Sequence, residues 1–356
     1  FSSSSSSSIN SKNLNNLKNT TVRLLSRPIG MTTRDNWNIT TEDIILPNEN
    51  NSEILVEVSS ISLDPAMRGW LNDTKSYIRP VAIGEVMRAS GVGKIISSTH
   101  SNYKVGDTVM GGFGVQKYSL LGPKDIKVAG VTKIDITKGT PEQWLNTLGM
   151  PGMTAYFGFK EVGLPKAGET IVVSAAAGAV GQTVGQLAKI YGLKVVGIAG
   201  GADKCEWVVD SLGFDSCIDY KNSSVSIKES LKQHCPNGID IYFDNVGGDI
   251  LDAVLGRINR HARIVICGAI SQYNTTSAIH GPKNYLSLLV NRARMEGMVV
   301  FDYADKYHHA VDEIGRYLKS GKMKSKEHIE TGIENFPEAM NILFTGKNFG
   351  KLILKV

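Results

Sequence analysis

The clearest pattern of hydrophobic and polar positions in the chain lies between residues 170 and 191. Three β-branched residues, 171–173, form an apolar run that stops at the small residues 174–178. Gly178 and Gly181 then lead into a segment whose apolar positions recur at helical spacing, at Val180, Val184, Leu187 and Tyr191. The pattern predicts a strand, a tight glycine turn and a helix N-terminus, an arrangement that binds the pyrophosphate of a dinucleotide.

The turn matches the six-residue dinucleotide fingerprint only in part. The fingerprint has glycine at its first, third and sixth positions, which hold Ala176, Gly178 and Gly181 here. Ala179 and Val180 complete the turn, and we expect all five residues to contact a cofactor. An ordinary strand-to-helix loop can carry the same motif, so the surrounding sequence has to decide between the two interpretations.

The residues that follow the predicted helix favour NADPH over NADH. A second buried strand, predicted over 194–199, ends about twenty residues after the glycines, where an NAD-selective fold places an acidic residue on the ribose 2′-hydroxyl. Gly200 and Gly201 stand there instead, and Lys204 follows. The missing carboxylate removes repulsion against a 2′-phosphate, and Lys204 supplies a positive charge to bind it.

Two other interpretations of this corner remain open. Asp203 and Glu206 fit the first and last positions of a capping box, which predicts that Asp203 is a helix N-cap rather than a ribose ligand. Lys204 can alternatively be a solvated surface lysine. A cation in the first turn of a helix opposes the helix dipole, however, and a nearby anion would explain it.

Further apolar runs predict the remaining strands of a doubly wound sheet, at 239–243, 264–267 and 298–301. Ligands of open α/β sheets bind beyond the carboxyl ends of the strands. Asn245 and Tyr273 lie there, on predicted loops, and are therefore candidate site residues.

The first part of the chain has a different pattern. Short strand-like runs at 54–58, 91–96, 107–110 and 115–118 are separated by turns and predict a compact β-rich domain. A final run at 350–356 predicts a strand that returns to this domain. The fold class is therefore predicted to be α/β, with a β-rich domain ahead of a doubly wound parallel sheet.

Composition and charge narrow the function. A chain of 356 residues with 42% hydrophobic content can bury two cores, and none of its apolar runs is long enough to span a bilayer. Residues 1–34 hold five Lys and Arg and no acidic residue, so they account for the whole net charge of +5. The neutral remainder does not have the charge distribution of a nucleic-acid binder.

The first nineteen residues, rich in Ser and Asn, are predicted to form a disordered tail. A cytoplasmic location is expected. The segment is also basic, Ser-rich and free of acids, so a mitochondrial transit peptide is the alternative. A secretory signal is excluded because the segment has no apolar stretch.

The cysteines indicate neither a disulfide framework nor a metal centre. All four lie in the dinucleotide-binding half without a CxxC pair, and residues 1–204 contain none. Catalytic zinc needs three protein ligands, usually His, Cys or carboxylate. The first part of the chain offers only His100 and scattered carboxylates, so we expect no catalytic metal.

Several long strings resemble one protein family. LDPAMRG (63–69), LGMPGMTAYFG (148–158), VVGIAGGADKC (195–205), DIYFDNVGG (240–248), ICGAISQYN (266–274) and GKNFGKLIL (346–354) resemble the zinc-free alkenal/one oxidoreductases of the medium-chain dehydrogenase/reductase superfamily. Prostaglandin reductases, plant double-bond reductases and bacterial curcumin reductases form this group. The resemblance extends from about residue 20 to the end of the chain.

The resemblance implies a two-domain enzyme that reduces the C=C bond of α,β-unsaturated ketones and aldehydes with NADPH. It implies a GroES-like domain over 20–148 and 308–356, a Rossmann domain over 149–307, and a homodimer. Two alternatives remain open: a quinone reductase of the same superfamily, and a catalytically idle NADPH-binding protein that recognises a partner or RNA.

Residue roles also follow from the resemblance. Lys204 and Tyr220 match residues that contact the 2′-phosphate side of the cofactor, and Asn245 and Asn348 match residues on its nicotinamide side. Tyr273 and Tyr77 match tyrosines over the substrate pocket, and these two are the predicted catalytic residues.

One residue departs from the family's pattern. Relatives commonly have Tyr at the position of Ala66. This difference leaves the identity of the substrate open, because a tyrosine there could orient an aromatic substrate.

Overall fold

The computed structural model describes Leu14 and residues 16–356. In this part of the chain, fifteen strands are formed: β1 (Lys18–Leu24), β2 (Trp37–Asp43), β3 (Ile54–Ser62), β4 (Gly91–Ser98), β5 (Thr108–Gly111), β6 (Tyr118–Leu121), β7 (Thr132–Lys133), β8 (Thr170–Ser174), β9 (Lys194–Ala199), β10 (Ser216–Asp219), β11 (Ile239–Asp244), β12 (Ile258–Ile266), β13 (Arg294–Gly297), β14 (Glu327–Thr331) and β15 (Lys351–Lys355).

The same described residues form eleven α-helices: α1 (Ala66–Trp70), α2 (Pro123–Val128), α3 (Pro141–Trp144), α4 (Met150–Phe157), α5 (Ala179–Ile190), α6 (Ala202–Asp210), α7 (Ile227–His234), α8 (Gly248–Leu255), α9 (Leu286–Asn291), α10 (Tyr307–Lys319) and α11 (Phe336–Thr345). None of them is long and apolar enough to cross a membrane.

Six parallel strands form the dinucleotide-type sheet, in the order β10-β9-β8-β11-β12-β13. Helices α5 to α9 connect these strands in turn. Counted from β8, the order is 3-2-1-4-5-6, which is the doubly wound Rossmann arrangement. The topological switch point lies between β8 and β11, so a ligand is expected beyond their carboxyl ends.

The apolar run of β8 is buried because helices cover both faces of the sheet. Ile171 and Val173 lie in one hydrophobic cluster with Val184 and Leu187 of α5, whereas Val172 lies in a second cluster on the opposite face. This arrangement explains why a buried parallel strand has a continuous apolar run rather than an alternating pattern.

The first part of the chain forms a seven-stranded sheet with the order β14-β15-β3-β4-β5-β7, to which β6 adds by pairing with β3. Strands β1 and β2 form a separate antiparallel pair. The closing strand β15 pairs antiparallel with β3 and parallel with β14, so the predicted return to the first domain is confirmed. The predicted α/β class, with a β-rich domain and a doubly wound parallel sheet, is confirmed as well.

Two predicted strands are wrong in position. The run at 298–301 is not a strand. The last strand of the six-stranded sheet is β13, whose four residues are all exposed, and a 3-10 helix begins at Val300. Met298, Val299 and Phe301 are apolar because they line a cleft. The run at 115–118 shares only Tyr118 with β6.

The prediction of a disordered tail over the first nineteen residues is wrong for the last part of that segment. Leu14 is buried in a small cluster with Leu55 and Ile96, and β1 begins at Lys18. The apolar surface of Leu14 therefore ties this segment to the body. The remainder of the predicted tail, residues 1–13 and 15, lies outside the described residues.

Candidate active site

A cleft of about 1700 Å³ opens at the switch point between the two sheets. Its walls come from both halves of the chain, which fits a site that binds two molecules end to end. The predicted site residues that line it are Tyr77, Gly178, Ala179, Val180, Gly181, Lys204, Tyr220, Asn245, Tyr273 and Asn348.

The glycine turn forms the floor of the cleft. The backbone N–H of Gly178 donates to the carbonyl oxygen of Ala175 at 2.8 Å, and Gly178 is the N-cap of α5. A Cβ atom at Gly181 would lie 2.3 Å from that same oxygen, so only glycine fits there. The first turn of a helix has N–H groups without intrahelical partners, and these suit a pyrophosphate.

Ala176 has a different position from the one predicted. It is fully buried and is not part of the cleft wall. Its methyl group would lie 2.9 Å from a Cβ at Gly197 of β9. The first place of the fingerprint therefore packs the turn onto the neighbouring strand, a role that alanine can fill.

The C-terminal segment closes over the glycine turn. The N–H of Gly350 donates to the carbonyl oxygen of Ala177 at 3.1 Å, and Gly178 pairs with Gly350 as an isolated parallel bridge. The amide of Asn348 donates to the Gly350 carbonyl at 3.0 Å. These contacts hold Asn348 beside the turn, although it lies 170 positions from Gly178 in the sequence.

Two lysines meet at the corner where β9 and β10 end, which we call the ribose corner (Gly200, Lys204, Tyr220, Lys221 and Gly346). The Lys204 ammonium donates to the carbonyl oxygen of Gly346 at 2.7 Å. The Tyr220 ring covers Gly200, where any Cβ would lie 2.8 Å from the ring. The Lys221 Nζ lies 3.7 Å from a Cβ placed on Gly346.

The charges at the ribose corner point to an anion. Burial lowers the pKa of Lys204, and the positive charge of Lys221 lowers it further. Lys204 is thus not the fully solvated lysine of the alternative interpretation, because it is partly buried. The two neighbouring positive charges attract an anion such as a 2′-phosphate.

Gly201 and Asp219 shape this corner from behind. Gly201 has a φ of 100° and is the N-cap of α6, so the prediction that Asp203 caps the helix is wrong. The N–H of Gly201 donates to Asp219 at 2.7 Å. A left-handed residue is needed for this turn, and glycine adopts it without strain. Gly201 itself does not line the cleft.

Sequence reasoning missed Lys221 at this corner. The signal was present, because Lys221 directly follows Tyr220 in the string DYK at the end of β10. Its relevance depends on Gly346, which comes from the far end of the chain, and that proximity is a property of the tertiary structure.

Tyr273 lies at the opposite end of the cleft, on the loop after β12. Its hydroxyl oxygen accepts the backbone N–H of Ala269 at 3.1 Å. Burial raises the pKa of Tyr273, so the phenol stays protonated at neutral pH and keeps its O–H as a donor. The hydroxyl also packs against Gly268, where a Cβ would lie 3.0 Å away.

Tyr77 lies at the mouth of the cleft and is 57% exposed. Its ring centroid is 6.2 Å from that of Phe301. Ala66, the first residue of α1, also lines the cleft. A tyrosine at that position would occupy part of this end of the cleft.

The Tyr273 loop is held by Arg68, which sequence reasoning also missed. The buried Arg68 guanidinium donates to the side-chain oxygen of Asn274 at 3.0 Å, to that of Asn72 at 2.7 Å and to the carbonyl oxygen of Gly30 at 3.0 Å. Arg68 therefore fixes the loop of Tyr273 to the first domain.

Asn245 is oriented by β8. Its amide donates to the carbonyl oxygen of Ser174 at 2.8 Å, and its backbone N–H donates to the Ser174 hydroxyl at 2.9 Å. The next two N–H groups, of Val246 and Gly247, donate to Asp244. Asn245 lines the cleft at the switch point, and its side-chain oxygen is a hydrogen-bond acceptor.

Family models match both halves of the chain. A model described as N-terminal domain of oxidoreductase matches residues 20–128, and one described as zinc-binding dehydrogenase matches residues 179–316. Within Leu14 and residues 16–356, no group of three or more His, Cys, Asp or Glu side chains could hold a metal. The described residues therefore do not provide a zinc ligand set.

Characterised relatives align over nearly the whole chain. The NADPH-dependent curcumin reductase of Escherichia coli (strain K12) is 41% identical over 338 residues, which cover 94% of this chain and 95% of the relative. The 2-alkenal reductase (NADP(+)-dependent) of Nicotiana tabacum is 40% identical over 309 residues, which cover 86% and 88%. The crystal structure of CurA in complex with NADPH from Vibrio vulnificus superimposes with a TM-score of 0.84 at 41% identity, covering 95% and 99%.

Proposed function

The chain belongs to the medium-chain dehydrogenase/reductase family, and we propose that it is an NADPH-dependent oxidoreductase that reduces the C=C bond of α,β-unsaturated ketones and aldehydes. The observation that carries this proposal is one cleft with a corner of two lysines at one end and a half-buried phenol at the other. The relatives named as NADPH-dependent curcumin reductase and 2-alkenal reductase support it.

We propose that the glycine turn binds the pyrophosphate through Gly178, Ala179, Val180 and Gly181, with Ala176 packed beneath. Lys204, Tyr220 and Lys221 bind the 2′-phosphate, and Gly201 shapes the turn that presents Lys204. Asn245 and Asn348 orient the nicotinamide. Bound NADPH supplies the hydride that is transferred to the β-carbon of the substrate.

The residues at the other end of the cleft act on the carbonyl group. Charge develops on the carbonyl oxygen as the β-carbon is reduced, and the O–H of Tyr273 donates a hydrogen bond to that oxygen. A preorganised donor in a buried site stabilises such charge better than water does. Tyr77 lies at the mouth of the cleft, over the substrate. Saturation of the C=C bond is completed by a proton at the α-carbon, which solvent or a tyrosine can supply.

A product analysis tests this proposal. The enzyme is incubated with NADPH and, in separate reactions, with an alkenal, a chalcone-like enone, a quinone and a saturated aldehyde, and both NADPH consumption and products are measured. The proposal expects saturated ketones and aldehydes from the first two and no alcohol from the last. Turnover of the quinone alone identifies a quinone reductase, and NADPH binding without turnover identifies an idle binding protein; either result overturns the proposal.

We propose that the protein forms a homodimer through the open edge of the six-stranded sheet. The edge strand β13 is fully exposed, and the preceding α9 exposes Leu286, Leu289 and Val290, the last two at 75% and 69%. A second copy that pairs with β13 would cover both the unpaired backbone groups and this apolar patch. Substitution of Leu289 by Glu should yield a monomer in analytical ultracentrifugation; an unchanged dimer mass contradicts this interface.

We propose a cytoplasmic location. The four cysteines are free thiols, which fits a reducing compartment. A fusion of residues 1–34 to a fluorescent reporter distinguishes the alternatives, because a transit peptide would deliver the reporter to mitochondria.

We also propose the division into a domain of residues 20–148 and 308–356 and a Rossmann domain of residues 149–307. Strands β14 and β15 support this division because they join the first sheet. Helix α10 lies at the boundary, since Ala310 and Ile314 pack in the same cluster as α4. Limited proteolysis that releases 149–307 as a folded fragment would support these limits.

A further inference from the structure

Two thiols lie side by side behind the ribose corner. Cys205 directly follows Lys204 in the first turn of α6, and Cys217 lies in β10. Their sulfur atoms are 2.9 Å apart, with the Cys217 S–H donating to Cys205. A disulfide bond is about 2.05 Å long, so the sulfurs need to approach by only about 1 Å to form one.

We propose that Cys205 and Cys217 form a redox-sensitive pair, which a hydroperoxide oxidises to a disulfide, and that this disulfide weakens NADPH binding at the adjacent ribose corner. The second part of this inference rests on the proposed function. The first part concerns only the thiols and can be tested without the cofactor.

The surroundings make Cys205 the thiol that reacts first. The hydrogen bond from Cys217 lowers the pKa of Cys205, and the first turn of a helix favours a thiolate. Hydrogen bonding to Cys205 and burial raise the pKa of Cys217. Cys205 is partly exposed, so a small hydroperoxide can reach it.

The neighbouring strand leaves room for the pair. Cys217 is in register with Gly197 of β9, and a Cβ at Gly197 would lie 3.2 Å from the Cys217 sulfur. A larger residue at Gly197 would push Cys217 away from Cys205. The absence of a side chain there lets the two sulfurs adopt the geometry of a bond.

The reaction balances with the hydroperoxide as the only oxidant. The Cys205 thiolate attacks the outer oxygen of ROOH, the O–O bond breaks, and the products are a sulfenic acid at Cys205 and ROH, which takes up the proton. The Cys217 sulfur then attacks the sulfenic sulfur, the S–O bond breaks, and water leaves with the thiol proton. The two thiols lose two electrons and the peroxide gains them.

The disulfide would act on cofactor binding through Lys204. Strand β10 is hydrogen-bonded to β9 along its length, whereas α6 begins after Gly201, whose left-handed conformation makes a sharp turn. Closing the bond therefore displaces the start of α6 rather than the strand. Lys204 moves with it and away from Gly346, to which it donates a 2.7 Å hydrogen bond.

The other two cysteines serve as internal references. Cys235 is 1% exposed, and burial raises its pKa to about 11. Burial raises the pKa of Cys267 to about 12. Neither should react with the hydroperoxide at doses that oxidise Cys205, because only the thiolate is a good nucleophile.

The experiment uses the full chain and hydrogen peroxide as the probe. Wild type, Cys205→Ser, Cys217→Ser and the matched control Cys235→Ser are treated with peroxide, alkylated with N-ethylmaleimide and analysed by intact mass and peptide mapping. We expect a Cys205–Cys217 cross-linked peptide in wild type and Cys235→Ser, and none in the other two variants. Two separately alkylated or irreversibly oxidised cysteines in wild type would overturn the inference.

A binding measurement tests the consequence. Oxidised wild type should bind NADPH about tenfold more weakly, as expected for a weakened charged hydrogen bond, with NADH binding little changed and NADPH binding restored by dithiothreitol. The Cys205→Ser variant should show no change on peroxide treatment. A disulfide that leaves NADPH affinity unchanged would overturn the second part, whereas a reduced protein that does not bind NADPH at all would refute the proposed cofactor and leave the disulfide result standing.

Discussion

The two ends of the cleft are built in different ways. The ribose corner is polar and cationic, and four of its five defining residues come from two short segments, 200–204 and 220–221, at the ends of adjacent strands. The tyrosine end is aromatic and apolar, and it is assembled from two stretches, 66–77 and 273–301, that lie far apart in the sequence.

This difference indicates that NADPH binding and catalysis depend on different parts of the fold. Neighbouring strands of one sheet fix four of the five residues of the ribose corner, and Gly346, from segment 308–356, adds one hydrogen bond from Lys204. The tyrosine end exists only when the loop of Tyr273 is docked on the first domain, which Arg68 achieves through its hydrogen bond to Asn274. Substitutions at the two ends should therefore affect different kinetic constants.

The largest effect is expected where the turn between the two ends is disrupted. In Gly181→Ala the new Cβ would lie 2.3 Å from the carbonyl oxygen of Ala175, so the turn has to move away from the pyrophosphate. We expect NADPH affinity to fall by more than about a hundredfold and the free energy of unfolding to fall by about 1–3 kcal/mol. Calorimetric titration and thermal melts measure both.

Gly281→Ala is the matched control for this substitution, because a Cβ there has no heavy atom within 4 Å. It should change neither quantity appreciably. If Gly181→Ala binds NADPH as well as wild type, the turn does not hold the pyrophosphate.

The next largest effect concerns the chemistry at the tyrosine end. Tyr273→Phe removes the donor to the carbonyl oxygen but keeps the ring, so kcat for enone reduction should fall by about a hundredfold, with the Kd for NADPH nearly unchanged. The control is Tyr118→Phe, whose hydroxyl lies 3.4 Å from Glu57, outside the cleft. A wild-type kcat in Tyr273→Phe would mean that another group stabilises the developing charge.

A comparable effect on binding alone is expected at the ribose corner. Lys204→Met should weaken NADPH binding by about tenfold to a hundredfold, because a charged hydrogen bond to the 2′-phosphate is lost, and should leave NADH binding as it was. Lys221→Met should have a smaller effect, since Lys221 is exposed. Lys228→Met, an exposed lysine of α7, is the control. Equal losses for both cofactors would show that Lys204 does not recognise the phosphate.

The smallest effect is a pH dependence of the same contact. Burial, and then the charge of Lys221, lower the pKa of Lys204. Only the protonated ammonium attracts the phosphate. NADPH affinity should therefore be highest near neutral pH and should decline as the pH rises through this lowered pKa. NADH affinity should stay level over the same range. A parallel decline for both cofactors would assign the effect to another group.

Much of the fold could be predicted from the sequence because local patterns reflect burial. The β-branched run of β8 and the helical spacing of α5 predicted both elements, since each is buried by its immediate neighbours. Strand β13 could not be predicted, because its four residues are all exposed and a single apolar residue, Met295, makes no pattern. The run at 298–301 was misassigned because residues that line a cleft are as apolar as those of a strand.

The candidate site was predictable only in part, for a related reason. Gly178, Gly181 and Lys204 carry local motifs, whereas the roles of Arg68 and Lys221 depend on residues more than 100 positions away in sequence, Asn274 and Gly346 respectively. Ala176 of the fingerprint and Gly201 after β9 support the cleft from behind rather than lining it. A sequence pattern does not distinguish a residue that contacts a ligand from one that supports the contact.

One double-mutant cycle tests most directly the claim that cofactor selection and chemistry lie at separate ends of the cleft. Wild type, Lys204→Met, Tyr273→Phe and the double variant are compared by kcat/KM for NADPH at saturating enone. The account predicts that the two losses in kcat/KM, expressed as free energies, add with a coupling energy of no more than about 0.5 kcal/mol, as for independent sites. Lys204→Met should act through KM and Tyr273→Phe through kcat. A coupling energy above about 1 kcal/mol, or a loss of kcat in Lys204→Met as large as that in Tyr273→Phe, would contradict it.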